Sequence, residues 1–127
     1  MQLPADLTCV RPCRRWAAEA AAGHGATPHE QQLVALLTSE LLTNAVKYGP
    51  REAIDIDAGC DAGLFRVAVT DGGSAMPVVV VDPPADAAGG RGMHLVAKLS
   101  AAWGVDRRAH GKTVWFALAV GDEVCAG

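Results

Sequence analysis

With 127 residues, half of them hydrophobic and a fifth charged, the chain can bury one sizeable core and is too short for two, which predicts a single domain over residues 1–127. A formal charge of −3 without a run of five or six like charges offers no basic field for a nucleic-acid backbone, which argues against DNA or RNA as a partner. No stretch approaches the about 18 apolar residues of a membrane span, and the start has no basic flank followed by an apolar run, so a cytoplasmic protein with no membrane partner is expected.

Leu7 to Val10 reads as a short opening strand. Cys13 to Ala22 is rich in alanine and stops at Gly23-His24-Gly25, which predicts a first helix. Thr27-Pro28 supplies an N-cap followed by proline at the first helical position, with Glu30 and Gln31 in the opening turn, and a second helix runs on to Gly49-Pro50. Ile54, Ile56 and Ala58 alternate with Asp55 and Asp57, and Leu64 to Thr70 alternates in the same way, which is the pattern of a β-hairpin. Residues 72–90, rich in Gly, Pro and Ala, read as a long loop. Gly92 opens a third helix whose residues Leu95, Val96, Leu99 and Ala102 make one apolar stripe, ended by Trp103-Gly104. Val105 to Arg107 and Lys112 to Val120 close the chain as a hairpin around His110-Gly111. The expected fold class is α+β, a two-layer sandwich with helices on one face of a largely antiparallel sheet.

Cys9, Cys13, Cys60 and Cys125 are expected as reduced thiols, because a chain of this length does not need staples. None of them, nor His24 and His29, has the tight C-x2-C or H-x3-H spacing of a zinc site.

Polar residues interrupt three apolar patterns. On the second helix Glu40 and Asn44 fall on the arc of Leu33, Leu36, Leu37 and Leu41, one turn apart, and a carboxylate placed there needs a polar partner. Water or backbone at a helix end would satisfy them. Alternatively, Asn44 offers a neutral oxygen to Mg2+ and Glu40 accepts a proton from an attacking hydroxyl or water. Asp71 continues the parity of Phe65, Val67 and Val69 at a strand end, ahead of Gly72-Gly73. It is either an ordinary Asp-Gly turn or an acceptor for an exocyclic amine such as that of adenine. Gly89-Gly90-Arg91-Gly92 runs into a helix at Met93, where free N–H groups and the helix dipole favour an anion, although neither a P-loop nor a strand-linked G-x-G-x-x-G is present.

Ser39-Glu40-Leu41-Leu42-Thr43-Asn44-Ala45-Val46-Lys47-Tyr48-Gly49, then Val69-Thr70-Asp71-Gly72-Gly73, Gly90-Arg91-Gly92-Met93-His94-Leu95-Val96 and Gly111-Lys112-Thr113-Val114 resemble, in order and spacing, the N, G1, G2 and G3 boxes of the histidine-kinase-like (GHKL, Bergerat-fold) ATPases. Within that superfamily the chain is most similar to the small anti-sigma-factor serine kinases of the RsbW type. The resemblance implies ATP and Mg2+ as cofactors, with Glu40 as general base, Asn44 as Mg2+ ligand, Asp71 as the acid that reads adenine, Gly90 and Gly92 at the phosphates, and residues 74–89 as the ATP lid. Gly73, Arg91, Met93 and Thr113 belong to the same boxes, and Lys47 sits at the edge of the polar arc, near phosphate or simply facing the helix dipole. The implied reaction passes the γ-phosphoryl of ATP to a serine of an anti-anti-sigma (STAS) protein that competes with a sigma factor for this chain, and kinases of this kind commonly pair as homodimers. A non-catalytic, nucleotide-dependent module controlling a protein partner is the alternative, and a scaffold that binds no nucleotide is a third reading.

The chain departs from the family pattern twice. Ala75 stands where the G1 box has its second glycine, and Lys112 stands where a threonine usually follows the G3 glycine. Lys112 shares the inward parity of Val114 and Phe116, so it either reaches nucleotide or lid, or snorkels from the strand end.

Overall fold

The computed structural model describes residues 1–4, 6–48, 53–61, 63–72, 90–109 and 111–121. Among them, five strands form one sheet in the order β1-β2-β3-β5-β4, with every neighbouring pair antiparallel. These are β1 (Gln2–Leu3), β2 (Ile54–Asp61), β3 (Leu64–Asp71), β4 (Ala102–Arg108) and β5 (Gly111–Leu118); the helices are α1 (Val10–Gly23), α2 (Pro28–Tyr48) and α3 (Gly90–Leu99). This is the α+β architecture expected from the sequence.

Alternation along the strands sorts residues between the two sheet faces. Ile54 and Ile56 on β2, Phe65, Val67 and Val69 on β3, and Val114, Phe116 and Leu118 on β5 are all buried and join the helices in one core. From α1 that core takes Cys13, Ala17 and Ala21, a four-residue spacing of small side chains that lets α1 lie close against α2. On the other face Trp115 lies flat over Gly104, where a Cβ would come within 2.8 Å of the indole, and the Arg66 guanidinium stacks 4.9 Å from the indole centroid. Trp115 therefore points away from the helices, whereas Trp103 packs against the core.

The start of α2 follows the sequence closely. Thr27 Oγ1 accepts from the Glu30 N–H (3.2 Å) and Glu30 Oε1 accepts from the Thr27 N–H (2.8 Å), a reciprocal capping box. Glu30 Oε1 also accepts from the Gly121 N–H at 2.9 Å, tying the chain beyond β5 to the head of α2.

Four expectations are corrected. Leu7–Cys9 is a 3-10 turn rather than a strand, because Asp6 caps it by accepting from the Thr8 N–H, and the opening strand is instead β1 against β2. The third helix ends at Leu99, and Ala102 and Trp103 belong to β4, since the Ala101 N–H donates to Ala117 O and the next residues pair with β5. The buried face of α2 is centred on Val34, Leu37, Leu41 and Ala45, which leaves Leu36 40% exposed and puts Glu40 and Asn44 at the margin of that face rather than at its centre. Finally, Cys9 and Cys13 are free and buried, but Cys60 is disulfide-bonded rather than a reduced thiol.

Candidate functional site

β3 and β5 pair in register from Phe65↔Leu118 to Asp71↔Lys112, so the last residue of one strand lies opposite the second residue of the other. Both continue the inward parity of their strands. Their side chains are 2% and 3% exposed, and Lys112 Nζ donates to Asp71 Oδ1 at 3.0 Å. Asp71 makes further interactions beyond this one. The lysine neither snorkels nor faces solvent: it is a buried cation beside the predicted base-reading acid.

Gly111 fixes this meeting of strands. Its φ is +130°, and a Cβ there would fall on the Asp71 carbonyl oxygen, so only glycine lets β5 start this close to the end of β3. On the opposite face, Thr70 and Thr113 share a hydroxyl–hydroxyl bond of 2.7 Å, and Arg108 Nε donates to Thr113 Oγ1 at 3.1 Å. The sequence reading missed Thr70 and Arg108. The alternation that points Asp71 inward carried the signal for Thr70, whereas the reach of Arg108 to Thr113 depends on the register of the β4–β5 hairpin, which no local pattern discloses.

The second group stands on α2, which packs against both β3 and α3. Glu40 is half-buried, and burial pushes its carboxyl above the ordinary 4.5 while the Lys47 ammonium pulls it back. Asn44, one turn on, is 8% exposed, and no hydrogen bond among the described residues engages its amide. An amide that no protein group engages is free to offer its oxygen to a cation or a cation-bound water, so the residue fits Mg2+, which takes few protein ligands and keeps several waters. Lys47 is exposed in the last turn of α2, at the negative end of the helix dipole.

The third group begins α3, whose first residues are Gly90, Arg91, Gly92 and Met93. The helix starts two residues earlier than the sequence suggested, so Gly90 and Gly92 both lie in its first turn, where N–H groups have no intrahelical acceptor. Gly73, Ala75 and the lid at residues 74–89 lie outside the described residues. α2, which carries Glu40 and Asn44, packs directly against both β3, which ends in Asp71, and α3, which opens on Gly90 and Gly92.

The sequence matches the histidine kinase-like ATPase domain over residues 3–118. The chain belongs to the histidine kinase-like ATPase family. Among solved structures, it is similar to the histidine kinase domain of a blue-light-activated histidine kinase from Erythrobacter litoralis EL346, at 24% identity and a TM-score of 0.54. That alignment covers 91% of this chain and 61% of the other, so the present chain spans less than two thirds of the kinase domain it matches, and the likeness concerns the fold. No curated protein matches. As a histidine kinase-like ATPase domain the chain has a nucleotide as its expected ligand, and the three groups above lie on the elements that carry the family's boxes. No helix among the described residues is long and apolar enough to cross a membrane.

Proposed function

We propose that this histidine kinase-like ATPase domain is an ATP-dependent protein serine kinase of the anti-sigma-factor type, which phosphorylates a serine of a STAS partner and sequesters a sigma factor. The observation that carries the catalytic reading is the pairing on α2 of a half-buried glutamate of raised proton affinity with a buried, unengaged asparagine one turn away. Glu40 would take the proton of the attacking serine hydroxyl, a task helped by its raised proton affinity. Asn44 would hold Mg2+, which when bound neutralises charge on the phosphates. Asp71 would hold the adenine amine, and the first-turn N–H groups of α3 would face the phosphates, so catalysis would come mostly from positioning and charge stabilisation.

The test is titration with Mg·ATP followed by a phosphotransfer assay against purified STAS proteins encoded by the same genome. Binding followed by serine phosphorylation is the expected result. Binding without transfer would select the non-catalytic switch module, in which nucleotide state governs a protein contact. The absence of binding would leave neither. Asn44→Ala should abolish Mg2+-dependent nucleotide binding, whereas Glu40→Ala should keep binding and lose transfer; equal activity in both variants would overturn the roles given to them.

A further inference from the structure

A lysine ammonium carries three N–H donors and no acceptor. Lys112 Nζ is almost wholly withdrawn from water, and among the described residues it meets one acceptor, Asp71 Oδ1 at 3.0 Å. The neighbouring hydroxyls cannot serve it, because Thr70 and Thr113 project from the other side of the sheet and are engaged with each other and with Arg108. A buried cation with donors to spare is costly unless something supplies further acceptors, and a lysine at a strand end has a stem long enough to escape to water. Here the stem is instead turned inward, to the carboxylate at the end of β3.

We propose that Lys112 is a second reader of the nucleobase, working beside Asp71; this rests on the ATP reading given above. A 6-aminopurine presents an amine donor and, next to it, the ring nitrogen N1 as an acceptor. A carboxylate and an ammonium held 3.0 Å apart offer the complementary acceptor and donor. Asp71 accepts from the amine and Lys112 donates to N1 through one of the N–H groups that Asp71 does not use. Such a bond is charge-assisted and stronger than one from a neutral hydroxyl at the same place. Lys112 is thus a specificity-determining residue that makes N1 a required feature of the ligand.

The deciding measurement is calorimetric titration of the purified chain with ATP and with 1-deaza-ATP, in which a C–H replaces N1, both in the presence of Mg2+. Wild type should prefer ATP by between about tenfold and a hundredfold, the range for a hydrogen bond to a charged group. In Lys112→Met that ratio should fall to near one, and in Lys112→Thr it should fall below the wild-type value, in both chiefly through weaker ATP binding. Should the methionine variant fail to fold, the threonine variant sets a hydroxyl opposite Asp71, and the wild-type ratio needs no variant at all. A wild-type ratio near one, an unchanged ratio in the variants, or tighter ATP binding in the variants would overturn the role of Lys112 while leaving the nucleotide reading intact. Failure of both nucleotides to bind wild type would remove the nucleotide reading and this role with it.

Discussion

Glu40 shows how position on a helix becomes chemistry. Burial raises its proton affinity and Lys47 opposes the rise. In the role proposed for it Glu40 must be ionised, so the proposed phosphotransfer should climb with pH through a value above the ordinary glutamate range, and should fall about tenfold per pH unit below it. Lys47→Met removes the opposing charge and should move that acid limb to higher pH in a rate–pH profile. The same shift governs stability. Because the folded state holds this proton more tightly than the unfolded chain, the contribution of Glu40 is fully present below the unfolded value and is lost as pH rises through the folded one. Glu40→Gln should therefore melt at a higher temperature than wild type at neutral pH, with the gain vanishing in acid.

The buried pair makes a different prediction at the same scale. The one acceptor of Lys112 among the described residues is Asp71, whereas Asp71 has other interactions as well. Asp71→Ala strands a buried cation and should cost about 3–5 kcal/mol in urea denaturation, and Lys112→Met should cost less. Inward parity made both residues visible as polar insertions. Their meeting was not legible, because it follows from the β3–β5 register, set by residues up to 53 positions apart in the sequence, as in the Phe65↔Leu118 pair.

Among the elements, α2 was the most legible because its start is encoded locally. Thr27, Pro28 and Glu30 form a cap whose geometry involves only neighbours, and Thr27→Ala should cost about 1 kcal/mol by chemical denaturation. Glu30→Ala should cost more, since Glu30 Oε1 also takes the Gly121 N–H. The junction of α3 and β4 was misread for the opposite reason. Helical spacing extends to Ala102, but the pairing of Ala102 with Ala117 and of Trp103 with Phe116 draws those residues into the sheet, and tertiary hydrogen bonding overrides local periodicity. At the head of β5, Gly111→Ala combines a left-handed φ with a clash against the Asp71 carbonyl. It should destabilise by about 2 kcal/mol or more, and it should also weaken nucleotide binding by displacing Asp71 from Lys112.

For the molecule as a whole, a ligand that binds only the folded state raises its stability, and Mg·ATP at a hundredfold excess over its Kd should add about 2.7 kcal/mol. A thermal-shift series checks this: the upshift should shrink on adding EDTA, and Asn44→Ala should remove the part that depends on Mg2+.

By itself the sequence determined the α+β class and the run of elements from α1 to the closing hairpin, and it named the candidate residues of the site. Each of these is written in short-range signals: helix caps, strand alternation, glycines at the head of a helix, and four boxes in order. Only the tertiary structure decided which side of α2 is buried, that Lys112 is locked onto Asp71, and that Gly111 must be glycine. Those outcomes depend on which distant strands and helices come to lie against one another, and a chain's local pattern limits such meetings without specifying them.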